Sequence, residues 1–264
     1  MNEQTLAKMN QMKFFGMARA FKTSLETEEN KNLTTDEMIA FLVDSEKDDR
    51  HNRAIDRRNR LAKFRYKADI ENIIFESDRN LDKNQIMRFA ECSFIDKKDN
   101  ILITGFTGIG KSYIATAFGY QACTLGYKVL YANTAKLFSK LKMSKADGTH
   151  LREILRIEKT DLLILDDFGL QPFDSQSRML LMEIVEDRHE RNSMIITSQI
   201  PVAQWHEVIG DNTVADAILD RVIHTAHRID LKGESMRIKR KSKIVESSSQ
   251  PTASLHSQQS LQNQ

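Results

Sequence analysis

Cysteine is scarce: Cys92 and Cys123 are the only two in 264 residues, far apart and without metal-ligand spacing. That excludes a disulfide framework and a cysteine-ligated zinc site, and it fits a reduced, intracellular protein with two buried thiols. Proline is scarcer for its type, with three, so helices have few breakers. No apolar run approaches the roughly 18 residues of a membrane span, and the first residues carry Glu3 and polar side chains rather than a signal peptide. A cytoplasmic protein with no membrane partner is expected. Charge of one sign is missing too: 39 Lys and Arg stand against 37 Asp and Glu, a net +2. No global basic field announces a nucleic-acid partner, so local patterning must carry any such inference. No internal repeat is visible. A hydrophobic content of 40% suffices for one substantial α/β core with a small appendage.

What is present is concentrated in a few stretches. GFTGIGKS, residues 105–112, has the spacing of a loop that cradles a polyphosphate. Gly105, Gly108 and Gly110 let successive N–H groups turn inward, with Phe106, Thr107 and Ile109 between them. Lys111 would reach the β- and γ-phosphates, and Ser112 would offer its hydroxyl to Mg²⁺. Such a loop must join a strand to a helix, whose N-terminus favours anions. Apolar residues 101–104 precede it, and residues 112–121, including Tyr113, follow without proline. A glycine-rich turn before an ordinary helix is the bland alternative.

DLLILDDFG, residues 161–169, reads as a central parallel strand buried on both faces, ending in two carboxylates where open α/β sheets bind ligands. Asp166 would hold Mg²⁺; Asp167 would orient or deprotonate the attacking water. The alternative is a pair of solvated turn acids.

The chain divides into a helical part, 1–70, a core, 71–241, and a Ser- and Gln-rich tail, 242–264, expected to be disordered. Leu6, Met9, Met12, Phe15, Met17 and Phe21 recur at helical spacing, predicting one amphipathic helix over 5–25 whose Met and Phe stripe is core. Residues 34–37 supply capping residues for a second helix. It runs into RHNRAIDRRNRLAKFRYK, 50–67, where Arg50, Arg53, Arg57, Arg58, Arg60, Lys63, Arg65 and Lys67 stand against one acid, Asp56. Such a stretch can grip the phosphates of nucleic acid. A solvated face or a contact with an acidic neighbouring subunit are the alternatives. A further helix is predicted over 81–94, and residues 73–75 are candidates to wall an adenine. Strands are predicted at 101–104, 128–132, 162–166, 194–198 and about 226–231, with a helix at 176–191 among the connections: an α/β fold with a five-stranded parallel sheet.

GFTGIGKS, LLILDDFG, ITSQIPVAQWHEVIGD, ADAILDRVIHTAHRIDL and KGESMR occur in order. Together they resemble the IstB-type AAA+ ATPases, transposition helper proteins of insertion sequences that are similar to the helicase loader DnaC. The resemblance covers about residues 5–240. It implies a P-loop NTPase fold, ATP and Mg²⁺ as cofactors, duplex DNA and a cognate transposase as partners, and ATP-dependent homo-oligomers. It places the sensor-1 polar residue at Gln199 or Ser198, the arginine finger at Arg221 and the sensor-2 position at Arg237. Gln199 could instead cap its strand, and Arg221 could pair with Asp216 or Asp220. Only about thirty residues follow Leu231, so no full C-terminal lid is expected and Arg237 could touch DNA or a neighbour instead. Most AAA+ proteins carry glutamate where this chain has Asp167, which implies slow hydrolysis. Two rival functions share this core: a helicase loader, whose N-terminal part would bind a helicase, and a DNA-binding scaffold that binds ATP without useful turnover.

Overall fold

Four short apolar runs and one polar edge segment become the strands of one sheet: β1 Asn100–Thr104, β2 Val129–Asn133, β3 Leu162–Phe168, β4 Ser193–Ser198 and, at the edge, β5 Ala226–Asp230. Their order is β2-β3-β4-β1-β5, and every pairing is parallel. Alternation along β3 shows why its run is apolar throughout. Leu162 and Ile164 enter one hydrophobic core, while Leu163 and Leu165 enter the other on the opposite face. The five strands lie within two residues of their predicted bounds. This computed structural model describes residues 2–27 and 33–236. Arg237 and the expected tail lie outside the described residues.

Helices cover both faces. On one side pack α4 Lys83–Ala90, α5 Ser93–Lys97 and α6 Lys111–Thr124, with Ala62 at the end of the long N-terminal helix. On the other pack α7 Thr134–Ala146, α8 His150–Glu158, α9 Ser175–Arg188, α10 Trp205–Ile209 and α11 Asn212–Ile223. Arg188 is buried at the end of α9. Its guanidinium donates to the Ile157 and Thr160 carbonyls at 3.0 and 3.1 Å and to the Ser193 carbonyl at 2.7 Å. One side chain thus ties the end of α8 to the start of β4. Cys92 and Cys123 are free and buried, and burial pushes both thiols up to about 12.

The N-terminal part consists of α1 Asn2–Gln11, α2 Phe15–Glu26 and α3 Thr35–Ala62. The single helix expected over 5–25 is broken at Lys13, whose φ is +63°. The break also takes part of the Met and Phe stripe out of register, while Leu6, Met9, Met17 and Phe21 stay half-buried. Met12 and Phe15 are exposed, and the buried positions are Gly16, Ala18 and Ala20. Small residues win because α2 and α3 approach closely: a Cβ on Gly16 would lie 2.3 Å from the Ser45 carbonyl oxygen. The buried Glu46 carboxylate accepts from the Gly16 and Met17 N–H groups at 2.8 and 3.2 Å, at the N-terminus of α2. Burial opposes its ionisation, but Arg50 and these N–H groups prevail and hold its carboxyl below the ordinary range.

Two further helices are shorter than expected for the same reason. Residues 81–94 divide into α4 and α5 at Cys92, with φ of +58°, and α3 ends at Lys63, with φ of +61°. Left-handed turns usually announce themselves through glycine or asparagine; Lys13, Lys63 and Cys92 give no such signal. α3 itself begins as predicted. Thr34 accepts from the Glu37 N–H while Glu37 accepts from the Thr34 N–H, a complete capping box. Beyond Lys63 the chain turns into the core. Phe64 stacks on Tyr120 at 4.4 Å, and Ala62 and Ala68 are fully buried.

Candidate nucleotide site

The phosphate loop links β1 to α6 at the carboxyl end of the sheet. Gly105, Gly108 and Gly110 have φ of +140°, +82° and +102°. Two of them also admit a neighbour: a Cβ on Gly105 would lie 2.5 Å from the Leu231 carbonyl oxygen, and one on Gly108 2.2 Å from Ser235 Oγ. The segment after β5 is therefore laid across the loop, and the Met236 N–H donates to the Gly108 carbonyl at 3.0 Å. Arg79 is almost wholly buried behind the loop, donating to the Ile109 carbonyl at 2.7 Å and to the Ile74 carbonyl. Ile73 of the expected adenine wall is buried, Phe75 packs on the core, and Ile74 is exposed. Phe106 is exposed at the loop tip, and Tyr113 stacks with Tyr66 at 6.2 Å.

Lys111 Nζ donates to the Gly105 and Phe106 carbonyls at 2.7 and 2.8 Å, so the ammonium lies inside the turn. Burial pushes its pKa below the ordinary lysine value, against the opposing charges of Asp167 and Asp166. Ser112 Oγ donates to Asp166 Oδ1 at 2.7 Å. The same carboxylate receives the Thr197 and Tyr131 hydroxyls, and burial followed by that bond raises the Tyr131 phenol.

Successive side chains of a strand point to opposite faces, so two neighbouring carboxylates could not ordinarily serve one site. Here Asp167 takes a left-handed conformation, φ +59°, and the β3–β4 register shifts between Leu165 and Phe168. The freed Asp167 N–H is caught by Thr197 Oγ1 at 3.1 Å, and its carboxylate by Asn133 Nδ2 at 3.1 Å. Burial first, then the charge of Asp166, raises the Asp167 carboxyl above the usual range, opposed by Lys111, Arg65 and Asn133.

Gln199 Oε1 accepts from Thr107 Oγ1 at 2.6 Å, which brings the turn after β4 to the phosphate loop. Ser198 is fully buried and donates to the Phe168 carbonyl at 2.9 Å. Trp205, buried in α10, donates from Nε1 to the Ile200 carbonyl at 3.2 Å and packs on Phe168 at 4.5 Å. The tryptophan of the WHEVIGD stretch thus braces the turn that carries Gln199. Arg221, on α11, meets neither Asp216 nor Asp220 as an ion-pair partner. Its Nε lies 2.9 Å from Glu186 Oε2 on α9, and Asp216 pairs with His206 at 3.2 Å.

A match to the model of the IstB-like ATP binding protein family extends over residues 7–244. The chain belongs to this family. An insertion sequence ATP-binding protein of Sinorhizobium fredii, y4pL, is 44% identical over 233 residues, covering 88% of this chain and 95% of the relative. The Pseudomonas aeruginosa IS21 ATP-binding protein is 28% identical over 235 residues, covering 89% of each. Among solved structures, the DnaC helicase loader superposes with a TM-score of 0.55 at 19% identity, over 65% of this chain and all of that one. AMPPCP-bound DnaA from Aquifex aeolicus gives 0.54 at 18% identity, over 70% of this chain and 56% of that one. These likenesses establish the AAA+ P-loop fold.

Three residues of this IstB-like site escape sequence reading, Tyr131, Asn133 and Arg79, and Thr197, beside the two residues favoured at the end of β4, is the one that meets both carboxylate residues. Register offered a route to two of them. Tyr131 and Asn133 lie opposite Ile164 and Asp166 on the adjoining strand, so the end of β2 necessarily borders the two carboxylates.

The basic stretch is divided by the structure. Helical spacing aligns Arg50, Arg53, Arg57 and Arg60 on one side of α3, and all four are exposed. Arg50 and Arg53 form ion pairs with Glu46, and Arg53 also pairs with Asp49. Arg58 points elsewhere and donates to the Cys123 carbonyl at 3.4 Å. Lys63, Arg65 and Lys67 follow the helix, exposed, on the turn that enters the core. Arg65 is near enough to Asp167 to favour its ionised form.

Proposed function

We propose that this IstB-like protein is a Mg²⁺-dependent ATPase that assembles with copies of itself on duplex DNA and assists a transposase. The observation that carries the reading is the convergence of Ser112, Asp166, Asp167 and Gln199 on the phosphate loop. The donor set fits the cofactors. A glycine cradle with a buried ammonium suits a polyphosphate, and a hydroxyl beside one carboxylate suits Mg²⁺, which keeps water and phosphate oxygens as its other ligands. When bound, Mg²⁺ would neutralise phosphate charge. Ser112 and Asp166 would hold it, and Thr197 and Tyr131 fix the carboxylate that does so.

The residues then divide the work. Lys111 exchanges its two loop carbonyls for phosphate oxygens. Asp167, raised by burial and held by Asn133, accepts a proton from water or orients it. Gln199 reaches the same region from the neighbouring strand. Arg221 serves the nucleotide of an adjacent subunit after leaving Glu186. Transposition is favoured by the relatives, whose names attach them to insertion sequences.

DNA would lie along the exposed arginine stripe of α3. Arg57 and Arg60 test this best, since Arg53 also neutralises the buried Asp49. Replacing Arg57 and Arg60 by Gln should reduce the slope of log affinity against log salt by about two, at ~0.9 for each phosphate contact. An unchanged slope would show that these arginines do not face phosphates.

A further inference from the structure

Outside the nucleotide site, a concavity borders the β2 edge of the sheet, between the end of α3 and α8. It encloses about 660 Å³. Its floor is apolar: Leu61, Leu151 and Leu155 contribute to it, and Leu61 and Leu151 are 65% and 69% exposed. Its rim is basic, with Arg58, Lys128, Arg152, Arg156 and Lys159, and none of the residues lining it is acidic. The positive field extends beyond the rim. Arg156, then burial and Lys140, push the nearby Lys63 ammonium below its ordinary pKa, opposed by Glu153, which pairs with Lys140 and lies 3.7 Å from Arg156. Leucines so exposed inside a ring of cations mark a surface that another molecule covers.

The first half of α3 has the opposite character. Asp36, Glu37, Asp44 and Asp48 are exposed there against Lys47 alone. Glu37, Phe41, Asp44 and Asp48 recur at helical spacing along one strip, and Phe41 is 38% exposed there. α3 has 28 residues, which makes it roughly 42 Å long. The acidic apolar half and the basic apolar groove therefore sit near opposite ends of one rigid element, too far apart to meet within a subunit.

We propose that the groove receives the Asp36–Asp48 portion of α3 from a second copy of this chain, Phe41 covering the leucines while Glu37, Asp44 and Asp48 on the same strip meet Arg152 and Arg156. The contact is head-to-tail, so each subunit offers one knob and one socket, and repetition gives a ring or a helical filament. The strip of Glu37, Phe41, Asp44 and Asp48 lies on the opposite side of α3 from Arg50, Arg53, Arg57 and Arg60, so the knob leaves that arginine stripe open to DNA. The contact rests on the self-assembly in the reading above but is independent of Arg221.

Charge exchange with sedimentation velocity tests it, in Mg²⁺ and ATP without DNA. The groove variant is Arg152→Glu with Arg156→Glu; the knob variant is Asp44→Lys with Asp48→Lys. Each alone should associate at least about 100-fold more weakly than wild type, since like charges then face each other. Mixed together they should re-associate, because alternating copies restore opposite charges at every contact. Nucleotide binding and thermal unfolding like wild type show that both variants fold. Assembly of either variant at wild-type strength overturns the proposal, as does a mixture of folded variants that stays apart. Retained assembly with lost DNA affinity in the groove variant would make the groove a DNA surface and overturn it equally. Wild type that stays monomeric with ATP defeats both this contact and ATP-driven assembly. Assembly that needs no ATP but fails in each variant and returns in the mixture supports the contact and contradicts only the nucleotide dependence.

Discussion

Lys111→Ala should lower ATP affinity by at least about 100-fold, and assembly on DNA should vanish with it. Two effects act together. The variant loses the one buried ammonium within the turn, which donates to the Gly105 and Phe106 carbonyls. It also leaves Asp166 and Asp167 beneath the incoming phosphates without their nearest opposing charge. A charge-assisted hydrogen bond is worth about 1.5–3 kcal/mol, and removing the cation adds anion–anion repulsion. Titration with a fluorescent ATP analogue reads the affinity, and thermal unfolding checks that the loop survives without its lysine. Equal affinity in wild type and variant would refute the role.

Arg221→Ala should reduce hydrolysis by about 10³–10⁵-fold with little change in ATP affinity, as for an arginine that acts on transition-state charge in a neighbouring subunit. In the single subunit the guanidinium is parked on Glu186, which is 55% exposed. A pair this open to water contributes no more than about 1 kcal/mol, so a neighbour's nucleotide can draw the arginine away. Mixing sharpens the test. Arg221→Ala subunits keep an intact nucleotide site and Lys111→Ala subunits keep an intact Arg221, so together they should recover part of the activity. An inactive mixture in which hetero-oligomers demonstrably form would exclude action between subunits.

The sheet was legible because its determinants are local and strong. Apolar β-branched runs at 101–104, 162–166 and 194–198, each ending in polar residues, can hardly be anything but buried parallel strands. The phosphate loop was legible for the same reason, since its glycines and lysine are fixed by spacing. What could not be read depended on partners distant in sequence. Asp166 meets Tyr131 and Thr197 only after the strands take their order, and Glu186 reaches Arg221 only after α9 and α11 pack. The N-terminal helices misled in another way. Hydrophobicity drew attention to Met12 and Phe15, whereas the tight approach of α2 to α3 is set by Gly16, which carries no hydrophobic signal. Left-handed turns at Lys13, Lys63 and Cys92 ended helices where neither glycine nor proline marked the place.

In the proposed cycle Asp167 activates water at a nucleotide held by Lys111, Ser112 and Asp166, and ATP hydrolysis resets an assembly on DNA. Single-turnover phosphate release, measured on duplex DNA with Mg²⁺ and ATP for wild type and Asp167→Asn, tests it most directly. The asparagine keeps the size of the side chain and its place beside Asn133 but cannot take a proton, and loss of a general base is worth about 10²–10⁴ in rate. Wild type should turn over, and the Asp167→Asn protein should retain ATP and stay on DNA while releasing phosphate at least about 100-fold more slowly. Rapid release by the variant, or none by wild type, would contradict this cycle.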